Sequence, residues 1–305
     1  MLVFATSDKG GTGRSVTSSN VLYRSALQGS DVCYLDFDFG SPTAGAIFNI
    51  PAMVHGTTHG GLHSYLHGAV ADPHRVEVWQ ESDRTSLRDR PPGAGRLVLL
   101  PGDSGGGEFP ISREQIDRCS RLFLQLEEEF DLCLVDLSAG RSYATEMVLA
   151  ATAQAALRNV RTRWLVFHRW TRQHVLAASG LVYGERGILD TGVRHGHDAA
   201  ELAEALRFVR TAVVDPDSPE LEGLRAAQVA WLRDCDRDLA ELASGHKVGR
   251  TLLLATIPLD PVLQWREQLI SDNDVWSRRI ANRETLESFD SLAKKIVDDA
   301  AWETL

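Results

Sequence analysis

Lysine is nearly missing from this 305-residue chain: Lys9, Lys247, Lys294 and Lys295 stand against 28 arginines. Where a basic group is needed, arginine is the default, so the lysine kept at position 9 stands out. Positive charge as a whole is also short, since the net charge is −10 at pH 7. That sign opposes nonspecific adhesion to nucleic acid or anionic lipid. Cysteine is scarce and scattered. Cys33, Cys119, Cys133 and Cys235 lack C-x-x-C spacing, which argues against zinc and iron–sulfur ligand sets. Cys33 and Cys133 fall inside apolar runs, where a reduced thiol behaves as a small hydrophobe. No run of 18 apolar residues occurs, so no segment reads as a membrane span. The opening "MLVFATS" has neither a basic leader nor a cleavage site. The expected location is the cytoplasm. Without repeats, low-complexity blocks or a linker, residues 1–305 are expected to form a single domain.

What is present is an apolar content of 43%, ample for a sizeable core. Short apolar runs alternate with longer helical stretches. Strands are expected at "LVFAT", "DVCYLDFDFG", "RLVLLPG", "FDLCLVDLSAG", "RWLVFH", "FVRTAVVD" and "RTLLLATIP". Helices are expected near residues 15–28, 112–129, 173–183, 220–243 and 286–302, with an insertion near 185–207. This alternation predicts an α/β fold: a doubly wound, mostly parallel sheet with helices on both faces.

Between the first strand and the first helix lies "TSDKGGTGRS", residues 6–15. A standard phosphate loop reads G-x-x-x-x-G-K-[ST]. Here Arg14 takes the lysine position and Asp8 the first glycine. Glycines at 10, 11 and 13 let the backbone curl around an anion at a helix N-terminus, where unpaired N–H groups and a partial positive charge favour phosphate. Ser15 falls where a hydroxyl would hold Mg²⁺. Asp36 and Asp38 end the second strand, and Asp136 ends another apolar strand. Singly, each reads equally as a strand-ending aspartate or helix cap. Together they aim three carboxylates at one crevice, which requires a cation.

These segments carry a resemblance. "DKGGTGRS", "LDFDFGSPTAG" and "FDLCLVDLSAG" resemble the three nucleotide motifs of the ParA/MinD family of deviant Walker A P-loop ATPases, whose loop reads K-G-G-x-G-K-[ST]. Lys9 matches that loop's extra lysine. "GLHSYLHG", "RLVLLPG" and "TIPLDP" resemble later landmarks, and the order matches along nearly the whole chain. The resemblance implies ATP, with GTP kept open, together with Mg²⁺. It implies a homodimer that sandwiches the nucleotides, slow hydrolysis, and a role in positioning or in regulating a protein partner. Lys9 would reach the partner subunit's phosphates. Gly10, Gly11, Thr12 and Gly13 would cradle phosphate, with Arg14, Ser15, Val16 and Thr17 around it and Thr17 near the α-phosphate. Asp38 would orient the attacking water, and Asp36 would support its loop. Ser15, Asp38 and Asp136 would serve the metal. Asp215 and Pro258 would stand on the base side.

Arg14 is the chief departure from the family pattern. Arginine keeps the charge but is longer, planar and forked, so the exchange is not conservative at a tight phosphate site. Two functions follow: a slow ATPase switch, or a non-hydrolysing nucleotide-binding adaptor. A ligase or kinase on the same fold would need a small-molecule motif that the sequence does not show.

Three other clusters stand out in the sequence. His55, His59, His63 and His67 recur every four residues, yet Gly56, Gly60 and Gly61 oppose a helix before Leu62. A loop facing solvent or a partner is expected there rather than a metal stripe. Arg158, Arg161, Arg163, Arg169 and Arg172 cluster around one strand. The resemblance allows nonspecific DNA binding through such a patch, against a solvated face or an acidic protein partner. The C-terminal "LAKKIVDDAAWETL" is amphipathic but acidic, whereas a membrane-targeting tail should be basic. No membrane partner is expected.

Overall fold

Apolar runs rich in leucine, valine and phenylalanine, buried on both faces, build the sheet. The computed structural model describes residues 1–218 and 223–303. Its strands are β1 (Leu2–Thr6), β2 (Val32–Phe37), β3 (Val76–Glu77), β4 (Leu97–Leu100), β5 (Leu132–Leu137), β6 (Thr162–Arg169), β7 (Leu206–Val213) and β8 (Leu253–Pro258). They form one sheet in the order β3-β4-β2-β5-β1-β6-β7-β8. Neighbours run parallel except for the edge pair β3 and β4. A parallel sheet needs crossovers that cover both faces, and helices supply them.

Those helices are α1 (Arg14–Leu27), α2 (Ala44–Ile47), α3 (Leu62–Leu66), α4 (Val78–Glu81), α5 (Arg113–Glu129), α6 (Tyr143–Thr152), α7 (Arg172–Tyr183), α8 (Ile188–His195), α9 (Ala199–Glu204), α10 (Ala226–Gly245), α11 (Pro261–Trp265), α12 (Asp272–Trp276) and α13 (Arg283–Val297). The two-residue period of β1 divides the core. Val3 and Ala5 join the cluster under α1 and α13, with Val21, Phe289 and Leu292. Leu2 and Phe4 join the opposite cluster under α5 and α6, with Phe123 and Met147. At roughly 25 cal/mol per Å², burying such runs on both faces is the main stabilising term. Ser112 and Gln115 form a reciprocal capping box that fixes where α5 begins.

The expected doubly wound sheet is therefore present, with local differences. β3 is only two residues long, too short for a pattern in sequence. The segment expected as an insertion folds as α8 and α9, the latter capped by the Asp198 carboxylate on the Ala200 and Glu201 N–H groups. α10 begins at Ala226, and residues 220–222 of the helix expected there lie outside the described residues. α13 stops at Val297, and a 3₁₀ turn, Asp299–Trp302, finishes the stretch. Among the described residues, no helix is long and apolar enough to cross a membrane.

Strand order fixes where a site can form. From β1 the chain moves out to β2 and on to the edge strand β3, returns through β4 and β5, and then builds the other way through β6, β7 and β8. The carboxyl end of β1 is the point of reversal. In open α/β sheets, that is where a crevice opens and ligands bind.

Candidate functional site

Residues 7–13 connect β1 to α1 at this switch point. Gly11 and Gly13 adopt φ of +70° and +71°, a conformation comfortable only for glycine. Gly13 is the N-cap of α1, with no side-chain cap hydrogen bond and no acidic residue in the first turn. The first N–H groups of the helix thus have no side-chain partner, which is the usual setting for an anion. A Cβ built at Gly10, Gly11 or Gly13 would meet nothing within 4 Å, so the outer surface of the loop is bare. The loop is held from behind. Gly140 N donates to Ser7 O at 2.7 Å, and Thr211 Oγ1 donates to Thr12 O at 2.6 Å. Arg141 Nη1 reaches Asp8 Oδ1 at 3.3 Å. Lys9 lies exposed at the tip.

On the β2 and β5 side, the three aspartates do converge. Asp36 and Asp136 are paired across adjacent strands, and Asp38 follows just beyond. Between them lies Arg14, only 6% exposed. Its Nε donates to Asp136 Oδ1, its Nη2 to Asp38 Oδ2 at 3.0 Å and its Nη1 to Ser7 Oγ at 3.3 Å. Every guanidinium nitrogen therefore has a partner inside the cluster. Burial opposes the charge of Arg14, but Asp136 and Asp38 more than offset that and hold its pKa above the ordinary value. Tyr34 OH donates to the other oxygen of Asp136 at 2.6 Å. Asp36 accepts from Ala44 N at 3.1 Å and Asp38 N at 3.3 Å, bracing the turn after β2. Burial, reinforced by the nearby Asp136 charge, raises the Asp36 carboxyl to about 8.

This arrangement bears directly on the magnesium expected at Ser15, Asp38 and Asp136. Both carboxylates are already paired with one buried guanidinium, which occupies the space between them. A divalent cation there would lie against a fixed positive charge. Among the described residues, no group of three or more His, Cys, Asp or Glu is arranged to hold a metal ion. As folded, the donor set does not fit Mg²⁺.

The β6–β8 side is open. A cavity of about 220 Å³ is walled by Gly11, Thr12, Gly13, Val16 and Thr17 on one side. Arg169, Thr211, Ala212, Ile257, Pro258 and Asp260 are among the residues of the other wall. Pro258 is thus at the cavity. Asp215 is not: β7 ends at Val213, and Asp215 is exposed, its carboxylate accepting from Asp217 N at 2.9 Å. Asp215, expected on the base side, therefore does not line this cavity. The aspartate at the cavity is Asp260, the N-cap of α11. Its two oxygens accept from Val262 N at 3.0 Å and Asn282 N at 2.8 Å, so it shapes the wall. Arg169 has no side-chain hydrogen bond or ion pair among the described residues.

Sequence reasoning counted Arg169 within an arginine patch and overlooked Thr211, Asp260 and Tyr34. For Arg169 a signal existed, since it ends a strand on the sheet edge that carries the glycine loop. The patch itself divides. Arg163 is buried and donates to Ile296 O and to Asp299 Oδ1, and Arg161 pairs with Asp299 at 2.9 Å. Arg172 lines a separate groove beside Trp170 and α10. The histidines also disperse. The His63 ring packs on Phe39 and Phe109, and its Nδ1 accepts from Asp103 N at 3.1 Å. His67 packs at a tilt against Phe109, the ring that His63 also meets. All four cysteines are free thiols.

No protein-family model matches the chain, and no curated protein matches it. Solved structures do. MinD cell division protein of Aquifex aeolicus aligns with a TM-score of 0.58 at 15% identity, over 97% of this chain and 95% of that one. MinD of Pyrococcus horikoshii, complexed with Mg-ADP, gives 0.54 at 14% identity over 98% of each chain. A plasmid partition protein of Borrelia burgdorferi bound to AMPPNP gives 0.59 at 14% identity over 96% of each. At these identities the likeness speaks for the fold, and with the eight-stranded, mostly parallel sheet and its strand order, this chain has the P-loop fold of the MinD and ParA ATPases.

Proposed function

We propose that this chain is a nucleotide-binding switch of the ParA/MinD kind, in which two copies meet across bound nucleotide and the pair engages a protein partner. The observation that carries the reading is the bare, uncapped glycine loop at the sheet's switch point, opening onto a cavity. Solved proteins of the same fold bound to Mg-ADP and to AMPPNP support an adenine nucleotide. The cavity is smaller than the roughly 300–1,000 Å³ of ordinary ligand pockets. A nucleotide would therefore extend over the exposed loop, where a second copy could close the site and Lys9 could meet its phosphates.

Two versions differ in chemistry. In one, ATP is hydrolysed slowly with Mg²⁺, and Asp38 orients the water. In the other, the protein binds nucleotide without turning it over. The ion pair between Arg14 and Asp38 favours the adaptor, because it engages the carboxylate that would face the water. Phosphoryl transfer depends on positioning and charge placement more than covalent chemistry, so such a diversion is costly.

The test is a binding assay with ADP, ATP and GTP on wild type and Gly10→Ala. The added methyl meets no protein atom, so folding stability should change by less than about 0.5 kcal/mol. On this reading the Gly10 backbone cradles phosphate and an added methyl would crowd the anion, so nucleotide affinity should drop at least about tenfold. Equal affinity in the two proteins would reject this loop as the binding site. Turnover well above background that vanishes in Asp38→Ala would reject the adaptor version.

A further inference from the structure

We propose that the site takes its nucleotide di- or triphosphate without a divalent metal ion, Arg14 being the resident cation of the acid cluster and Arg169 the cation that the cavity wall offers the ligand. The inference rests on the nucleotide reading above and concerns how that site balances charge. In the usual arrangement of such sites, a metal ion neutralises both nearby carboxylates and phosphate oxygens, and a loop lysine reaches the phosphates. Here the residue at that lysine position, Arg14, points the other way, while Lys9 stays exposed at the loop tip. Arg14 is buried, and its three nitrogens engage Asp136, Asp38 and Ser7.

Three further bonds close the cluster to a newcomer. Asp136 uses its second oxygen on Tyr34 OH at 2.6 Å, and Asp36 is tied to the backbone N–H groups of Asp38 and Ala44. A metal ion entering between Asp38 and Asp136 would have to displace the guanidinium that both carboxylates already bind. A buried arginine stripped of its partners is strongly unfavourable. The cluster is complete without the ion.

Phosphate charge must then be met elsewhere, and the opposite wall offers the means. Arg169 lines the cavity facing Gly11, Thr12 and Gly13, with no acid paired to it among the described residues. The uncapped N–H groups of α1 open onto the same space. Guanidinium suits phosphate because its fork can donate two parallel hydrogen bonds. The charge roles have changed sides within the subunit: Arg14 serves the acids, and a strand-end arginine in the cavity wall faces the anion.

The experiment measures dissociation constants for ADP and ATP on the full chain, in excess EDTA and in excess magnesium. Wild type should bind in EDTA, with affinity within about threefold of that in magnesium, far less than a metal-dependent site would show. Arg169→Gln should weaken binding in EDTA at least about tenfold, the scale of a lost charge-assisted contact. Arg14→Lys, with its shorter side chain, should open room between the acids and acquire magnesium dependence. Binding that requires magnesium by more than about tenfold in wild type would overturn the proposal while leaving the nucleotide reading intact. An Arg169→Gln variant as tight as wild type would remove Arg169 from it. Absence of binding in both buffers would instead reject the nucleotide reading itself.

Discussion

Two regions flank the glycine loop and differ in almost every respect. Toward β2 and β5, three aspartates crowd around one buried arginine, and every nitrogen of that arginine is committed. Toward β6, β7 and β8, an arginine with no acidic partner faces an open cavity, and the aspartate in the wall is tied to backbone N–H groups. One side has resolved its electrostatics internally. The other has left a positive group and bare N–H donors exposed to whatever enters. The contrast separates holding the fold together from holding a ligand, two tasks that a shared motif would otherwise blur.

The sharpest way to break this comparison is to remove the arginine on each side in turn. Arg14→Ala leaves Asp136, 1% exposed, beside Asp38 with no counter-charge. Breaking a buried ion pair from one end typically costs about 3–5 kcal/mol. Urea unfolding should show a loss of that size, with part regained when Asp136→Asn is added. Arg169→Ala should stay within about 0.5 kcal/mol of wild type. Similar losses for both variants would show that the two arginines share one structural role.

The same contrast explains what could be read from the sequence. The strands were legible because they are apolar runs buried on both faces, and the order of elements placed the loop and the three aspartates at one edge. Arg14 was visible as an anomaly, but its direction was not. Whether a long side chain turns outward to an anion or inward to acids depends on Asp38 and Asp136, 24 and 122 residues away. The cavity wall was harder still. Asp215 and Asp260 both follow apolar strands, and only the end of β7 at Val213 and the cap at α11 decide which one reaches the crevice. Arg169 was hidden among neighbouring arginines that share its sequence region but point elsewhere.

A second test lies in the sheet on the open side. His168, in β6, is 1% exposed, and its Nε2 has no hydrogen-bond partner. Burial lowers its pKa from 6.5 to about 4. Arg210 and His174 push the same way, and a hydrogen bond to Arg169 O opposes them. The imidazole is therefore neutral in the fold down to a pH at which the unfolded chain has already bound a proton. Stability from this residue is complete above pH 6.5 and is lost as the pH falls from 6.5 towards 4. The full loss is about 3 kcal/mol, at 1.36 kcal/mol per unit. The measurement is the difference in unfolding free energy between wild type and His168→Phe at several pH values. That difference should shift against wild type as the solution is acidified, and a pH-independent difference would show that the imidazole protonates in the folded state without penalty.

The smallest effect belongs to the bridge behind the loop. Arg141 Nη1 meets Asp8 Oδ1 at 3.3 Å, while Nη2 and Nε donate to Gly180 O at 2.8 Å and Glu185 O at 3.2 Å. Asp8 stands where a standard loop has its first glycine, so this contact belongs to the present sequence rather than to the general motif. The Arg141 side chain is 37% exposed, and solvent screens the pair. Asp8→Asn should therefore cost less than about 1 kcal/mol at low salt, and less again at high salt. Its influence on binding should have the opposite sign. Removing a negative charge beside an anion site favours phosphate, so nucleotide affinity should rise by a factor of about two to five at low ionic strength. The gain should fade as salt is added. A salt-independent loss of affinity in Asp8→Asn would mean instead that the bridge sets the geometry of the loop, and that the cradle depends on the wall behind it as much as on its glycines.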